Sequence, residues 1–310
     1  MVFTGDSSDN ETDFGAFMKT MRDAFFDEVF KLDAMVVTAD MGAPALDKFR
    51  GTDKYLNVGI AEQNMITVAS GLALSGKKVF VYAIMPFATL RCFEVIKSTI
   101  CAMNLPVTIV GVGAGFSYED SGPTHHSTED ISVMRSLPNM TILSPSSSGM
   151  ASLMASIPDT PTYVRLDRET LPEIQRGSSW DVRCPGEGLD YIIPAKTVII
   201  TTGNMVHTAL KTGFGVMDIY KLKPLNERLL LKHFEGIERV VTLEEHILDG
   251  GLGSIIAEFM ADNGILKPLK RIGVDKYYYD YGREHLQKLC RLDVESVTKT
   301  IQDWVQPPNM

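Results

Sequence analysis

The sequence contains no run of lysine or arginine, and its 39 acidic residues outnumber the 30 basic ones, for a net charge of -9. Nucleic acids and anionic membranes both reward a basic surface, so neither is expected as a main partner. Long apolar stretches are missing as well. The longest, such as Val79 to Met85, fall far short of the roughly 20 residues that cross a bilayer. Cysteine is scarce, and Cys92, Cys101, Cys184 and Cys290 form no C-x-x-C pair, which speaks against a zinc knuckle or a disulfide framework. The first twenty residues lack the basic start and apolar core of a signal peptide and are rich in Asp, Glu, Ser and Thr instead. A soluble protein of the reducing cytoplasm is expected, with small molecules and other proteins as its partners.

What the chain does have is room for two ordinary domains, since 310 residues, 45% of them hydrophobic, suffice for a core in each. Residues 1–13 are polar and expected to be disordered. From Phe14 to Phe30 the apolar residues Phe14, Phe17, Met18, Met21, Phe25 and Val29 recur at helical spacing. Buried strands are predicted at Met35 to Thr38, Val79 to Met85, Val107 to Val112 and Met140 to Leu143, with helices over Ala61 to Leu74 and Thr89 to Met103. This alternation predicts right-handed crossovers on a parallel sheet for a first domain, 14–172. Pro, Gly, Ser and charged residues then dominate, so 173–190 reads as a linker. A smaller second domain, 191–310, offers strands at Thr197 to Thr201, Val216 to Ile219 and Val240 to Leu243, a helix from Gly253 to Ala261 and a last helix after Val294. Its crossover between Val206 and Val216 is short for a full helix. The predicted class is α/β with two parallel-sheet domains.

Three segments carry candidate chemistry. In Tyr55-Leu-Asn-Val-Gly-Ile-Ala-Glu-Gln-Asn-Met65 a strand-like run passes through Gly59 into a helix with Glu62 in its first turn. A carboxylate there can simply answer the positive end of the helix, an effect of about 0.3–1 kcal/mol. In Tyr118-Glu-Asp-Ser-Gly-Pro-Thr-His-His-Ser-Thr-Glu-Asp130 a Gly-Pro turn precedes two histidines. They could transfer protons or bind metal, although no third ligand stands at zinc spacing, and a polar surface loop is the plain alternative. In Thr162-Tyr-Val-Arg-Leu-Asp-Arg168 two arginines could meet an anion, or could pair with Asp167 and Glu169. Glycines at Gly111 to Gly115 and Gly250 to Gly253 match neither a dinucleotide fingerprint nor a phosphate loop.

Taken in order, the motifs resemble those of the transketolase family, specifically the pyrimidine-binding and C-terminal domains. Asn57-Val-Gly-Ile-Ala-Glu-Gln-Asn-Met65, Phe87-Ala-Thr-Leu-Arg91, Gly122-Pro-Thr-His-His126, Met134-Arg-Ser-Leu-Pro-Asn-Met-Thr141 with Ser144-Pro145, and Tyr163-Val-Arg165 run as they do in that family. Lys223-Pro224-Leu225, Glu244-Glu-His246 and Gly250-Gly-Leu-Gly-Ser254 extend the resemblance to the C-terminus. It implies thiamine diphosphate as cofactor. Glu62 matches the glutamate that hydrogen-bonds N1′ of the aminopyrimidine ring and promotes its imino tautomer, and Phe87 matches the aromatic ring stacked on the pyrimidine. Arg91 and Ile60 fall beside them at the cofactor. His125 is similar to the histidine that hydrogen-bonds substrate hydroxyls, and Arg168 to the arginine that grips a sugar phosphate. Ser121 stands where many relatives place an acid that reads a substrate hydroxyl, and Asp40 is a further residue expected to line the substrate site. Glycines fill 111–115 where many relatives carry a phosphate-contacting histidine.

The family's Gly-Asp-Gly segment with a downstream Asn, which presents the magnesium ligands, does not occur in the 310 residues. The resemblance therefore implies a split enzyme. An N-terminal-half subunit would hold Mg2+ and the diphosphate, in a heterotetramer of two plus two with a homodimer contact through this chain. The implied reaction moves a two-carbon ketol unit from a ketose to an aldehyde. The beta chain of a 2-oxo acid dehydrogenase decarboxylating component, or a non-catalytic partner subunit, are the alternatives. The Gly-Pro-Thr-His-His segment favours the transketolase reading, and the presence of Glu62, Phe87 and His125 argues against a degenerate subunit.

Overall fold

The computed structural model describes residues 19–156, 159–176 and 187–306. The expected disorder of 1–13, the first turn of the expected N-terminal helix, most of the linker and Cys184 lie outside the described residues. The chain runs α1 (Met21–Lys31), β1 (Met35–Thr38), β2 (Tyr55–Asn57), α2 (Glu62–Leu74), β3 (Val79–Ile84), α3 (Met85–Ala88), α4 (Phe93–Val95), β4 (Val107–Val112), α5 (Asp130–Arg135), β5 (Thr141–Leu143), α6 (Ser148–Met154) and β6 (Thr162–Leu166). It continues with β7 (Leu189–Ile193), β8 (Thr197–Thr201), α7 (Met205–Ala209), β9 (Gly215–Ile219), β10 (Lys221–Lys223), α8 (Glu227–Phe234), β11 (Arg239–Ile247), α9 (Leu252–Asp262), β12 (Leu269–Val274), α10 (Arg283–Leu289) and α11 (Val294–Val305).

Two sheets result. The first has the order β10-β5-β6-β4-β3-β1-β2 and the second β12-β11-β8-β9-β7. Both are parallel except at one edge each, where β10 pairs antiparallel with β5 and β7 antiparallel with β9. The prediction of two parallel-sheet domains therefore holds for the body of each sheet and not for these edges.

Side chains on successive strand positions point to opposite faces, and the first sheet is covered on both. Val79, Val81 and Ala83 of β3 join Met65, Ile66 and Ala69 of α2 in one core. Phe80 and Tyr82 of the same strand join Met21, Phe25, Phe26 and Val29 of α1 in the other. Thr20 caps α1 by accepting from the Asp23 amide at 3.1 Å. The second sheet is likewise sandwiched, with α9 on one face and α7, α10 and α11 on the other.

The two units are tied together by chain and by charge. β10 follows β9 in the second unit but adds a strand to the first sheet, and its Lys223 Nζ donates to the carbonyls of Arg135 and Leu137 at 2.7 and 2.6 Å. Those carbonyls close α5, where a cation is favoured by the negative helix end.

The helix expected over Thr89 to Met103 is broken. Thr89 has φ -113 and ψ -80, outside the helical region, and a π stretch follows over Ile96–Cys101. Buried Thr89 turns its hydroxyl back onto the Met85 carbonyl at 2.7 Å, and Thr99 does the same to Val95 at 2.6 Å, which distorts the ladder. The crossover after β8 holds only the five residues of α7, as its length predicts.

Candidate active site at the strand ends

Because β1, β2, β3, β4 and β6 run parallel, their C-terminal ends share one edge of the sheet, the edge where open α/β sheets bind ligands. The connections leaving these ends carry the candidate residues from the sequence. Asn57, at the end of β2, organises the first of them. Its Oδ1 accepts from the amides of Asp40 and Gly59 at 2.9 and 3.0 Å, while its Nδ2 donates to Asp40 Oδ1 at 3.1 Å. Gly59, at φ +77, then turns the chain into α2, a conformation a side chain would strain. Glu62 is the first residue of α2 and is 4% exposed, whereas Ile60 on the turn is 80% exposed. Asp40 is thus tied to the turn that delivers Glu62.

From Glu62 the site extends as an unbroken row. Arg91 Nη1 donates to Glu62 Oε1 at 2.6 Å, and the same guanidinium lies 4.2 Å from the centroid of the Phe87 ring. His125 meets Phe87 edge-on at 5.2 Å. Thr124 Oγ1 stands 2.9 Å from His125 Nδ1. Tyr118 follows, its ring 5.9 Å from that of His125, and the Arg168 guanidinium covers Tyr118 at 4.9 Å. Glu62, Phe87 with Arg91, His125 and Arg168 come from four connections of the first unit, and the structure brings them together. Ser121 lies on the same loop as His125, but its hydroxyl donates to neighbouring Asp120 at 3.1 Å.

Tyr118 was not singled out by the sequence. Its ring lies over Gly113, which sits at φ +108, and a Cβ on Gly113 would come closer to the ring than van der Waals contact allows. The loop that carries Tyr118 and His125 is held from below by buried charge. Ser117 Oγ donates to Asp167 Oδ1 at 2.9 Å, and the Phe116 amide to Glu245 Oε2 at 3.2 Å. The Arg283 amide donates to Glu119 Oε2 at 2.6 Å, and the ring of buried His126 meets that of Phe116 edge-on at 5.1 Å.

The centre of this support is Arg283, on α10 of the second unit. Its guanidinium reaches both oxygens of Asp167 at 3.0 and 2.7 Å and Glu245 Oε2 at 2.7 Å. Burial alone would raise Asp167, but the pairing with Arg283 prevails and holds it below the usual carboxylate range. Arg165, the other arginine of the β6 motif, is buried against Asp130 at 2.8 Å, an acid that also accepts from Tyr163 Oη at 2.8 Å. Of the two arginines, Arg165 is internal and Arg168 forms no ion pair among the described residues. His246 accepts from the Ile131 amide at the start of α5 at 3.2 Å, and burial lowers its pKa to about 4, so it is neutral. Beside it, burial pushes Glu244 up to about 8 despite two amides donated by Leu252 and Gly253 at 2.6 and 2.7 Å.

The row offers a buried carboxylate next to an arginine that lies over a half-buried aromatic ring, a histidine edge-on to that ring, and at the far end a guanidinium without an ion pair among the described residues. Such a set can hold a flat nitrogen heterocycle at one end and an anion at the other, with hydrogen-bonding groups between. Among the described residues no group of three or more His, Cys, Asp or Glu could hold a metal ion, and no helix is long and apolar enough to cross a membrane.

Comparison with known proteins gives the same division of the chain. Residues 8–173 match the model for the transketolase pyrimidine binding domain, and residues 195–297 that for the transketolase C-terminal domain. The chain is 33% identical to the putative transketolase C-terminal section of Methanocaldococcus jannaschii, over 81% of this chain and 83% of that protein. It is 30% identical to one of the subunits of the apulose-4-phosphate transketolase of Phocaeicola vulgatus, over 93% of this chain and 98% of that one. Among solved structures, a split gene transketolase described as an inactive beta4 tetramer superposes with a TM-score of 0.80 at 28% identity, covering 91% of this chain and 97% of that one.

Proposed function

This chain belongs to the transketolase family, and from that premise we propose that it is the C-terminal-half subunit of a split transketolase, moving a two-carbon ketol unit from a ketose to an aldehyde with thiamine diphosphate. One observation carries the reading. A single flat, delocalised group, the Arg91 guanidinium, reaches the Glu62 carboxylate at 2.6 Å while lying 4.2 Å over Phe87. A planar N-H donor thus sits against both side chains at once, which supports a flat aminopyrimidine as the group they would hold. Glu62 and Phe87 would hold it there, once Arg91 yields the place.

When bound, thiamine diphosphate supplies the thiazolium carbon that accepts the ketol unit and the electron sink that stabilises it. Glu62, buried at the start of α2, keeps a proton at the ring nitrogen it faces, and the positive helix end steadies its charged form. Phe87 gives the ring a flat apolar support. His125, 5.2 Å from Phe87, is placed to hydrogen-bond donor and acceptor hydroxyls, and Arg168 to hold an anionic substrate end. Asp40 acts through Asn57 by fixing the turn before Glu62.

Ile60, Leu56 and Leu90, from the segments on either side of Glu62 and Arg91, are 80%, 37% and 41% exposed, which supports a second chain closing over them. In this reading the partner is an N-terminal-half subunit that brings the diphosphate and magnesium ligands, in a cytoplasmic heterotetramer of two plus two. The near end-to-end match to a relative that is itself one subunit of a transketolase supports it. The test is reconstitution. The chain alone should bind thiamine diphosphate weakly and turn over no ketose, and the N-terminal-half subunit encoded with it should restore both. Micromolar cofactor binding with turnover by the isolated chain would overturn the split arrangement.

A further inference from the structure

We propose that Tyr118 sets which donors the site accepts, by closing the space over Gly113 and by presenting Arg168 to the donor's far end. The inference rests on the function proposed above and goes on to name a specificity residue and the class of substrate it favours.

Tyr118 stands between His125 and Arg168, 5.9 Å from the first and 4.9 Å from the second. A donor anchored near Phe87 and extending past His125 reaches the Tyr118 ring before it reaches anything beyond. The ring has no freedom to retreat toward the sheet. It lies on the bare Cα of Gly113, at φ +108, so the glycine is what admits it, and the ring fills the volume that a side chain at that position would use. The Tyr118 carbonyl accepts from the Ser121 amide at 3.1 Å, and its neighbour Ser117 is held by Asp167. Tyr118 is therefore a wall with a rigid mounting.

The same ring determines where Arg168 sits. Asp167, the adjacent acid, faces inward to Arg283, and Glu169 stands 3.9 Å from the same arginine. Arg168 is left over the Tyr118 ring, 4.9 Å from its centroid, with no carboxylate on its N-H groups among the described residues. An N-H edge without a carboxylate is an anion receptor of fixed position. The wall and the receptor together select a ketose short enough for its terminal phosphate to meet the Arg168 N-H groups while its carbon chain clears the Tyr118 ring. A longer sugar phosphate meets the ring first.

The experiment compares kcat/KM of the reconstituted two-subunit enzyme for ketose phosphates of five, six and seven carbons. Wild type should prefer the shortest. Tyr118→Ala should raise the seven-to-five-carbon efficiency ratio at least tenfold, chiefly through KM, while Tyr118→Phe should keep the wild-type ranking. Should the alanine variant not fold, Tyr118→Leu carries the same expectation, because it loses the flat face on which Arg168 stacks. A ratio unchanged within twofold in the alanine or leucine variant, or a shift in Tyr118→Phe as large as in Tyr118→Ala, would overturn the proposal and leave the ketol-transfer reading standing. Wild-type complex that transfers no ketol unit from any of the three donors would overturn both.

Discussion

Arg168 and Asp167 are neighbours in the chain and opposites in the fold. Arg168 is exposed at the strand ends, without a carboxylate partner among the described residues, in a row that runs to Glu62. Asp167 is 2% exposed, its two oxygens taken by Arg283, in a network that joins the two units beneath that row. The alternation of side chains at a strand end separates them. The comparison teaches a division of labour: an arginine without an ion pair among the described residues stands where substrate can reach, and buried ion pairs hold the loops that carry the site. A carboxylate serves both regions. In Glu245 it binds a buried arginine and a backbone amide, whereas Glu62 has one arginine whose side chain is 45% exposed.

The contrast is broken most strongly at Glu62. Glu62→Gln keeps volume and one hydrogen bond but cannot relay a proton, so turnover of the reconstituted enzyme should fall about a hundred- to ten-thousand-fold with little change in melting temperature. Equal losses of stability and activity would place Glu62 with the structural carboxylates. At Arg283 the reverse is expected. Arg283→Met leaves Asp167 and Glu245 buried and unpaired, which should cost about 3–5 kcal/mol in urea unfolding, with activity reduced as the Tyr118 and His125 loop loses its supports. A loss below about 1 kcal/mol would mean that water replaces the guanidinium.

The buried network should also respond to acid. His246 has its pKa lowered to about 4, so between pH 6.5 and 4 the unfolded chain takes up a proton that the folded chain refuses. Its contribution is present above pH 6.5 and is lost as pH falls through that window, by at most about 3 kcal/mol. Glu244, raised to about 8, works in the opposite sense, with its contribution fading as pH rises from 4.5 toward 8. The difference in melting temperature between wild type and His246→Gln, followed from pH 7 to 4, isolates the histidine and should shrink as the pH falls; a constant difference would show that His246 does not titrate in that window.

Smaller still is the effect expected at the substrate end. Arg168→Ala should raise KM for phosphorylated donors about tenfold and leave kcat within a few-fold, as for binding shared by ground and transition states. Equal losses for phosphorylated and unphosphorylated donors would remove Arg168 as the phosphate ligand.

Much of the fold was legible because β1, β4 and β8 are short apolar runs and α2 and α11 have clear helical spacing. The broken helix after Thr89 was not, since periodicity is blind to one residue leaving the helical region. Nor was β10, three residues whose pairing crosses between the units. In the site, Glu62, Phe87, His125 and Arg168 were legible through motifs in a fixed order. Tyr118 was hidden, because what identifies it is contact with Gly113 and Arg168 across a loop. Arg283 was hidden for a related reason: Asp167 lies 116 residues away and Glu245 38, so no spacing in the sequence links them. Asp167 and Glu169, which the sequence offers as local alternatives for pairing with Arg165 and Arg168, lie instead at Arg283, and Arg165 pairs with Asp130, 35 residues upstream.

The account stands on Glu62 relaying a proton to the cofactor ring, and hydrogen-deuterium exchange at C2 of thiamine diphosphate in the reconstituted complex tests that step apart from any substrate. Wild type should accelerate exchange, and Glu62→Gln, with cofactor still bound, should slow it about a hundred-fold or more. An exchange rate unchanged by the substitution would leave Glu62 a helix-end residue paired with Arg91, and the proposed mechanism would be wrong.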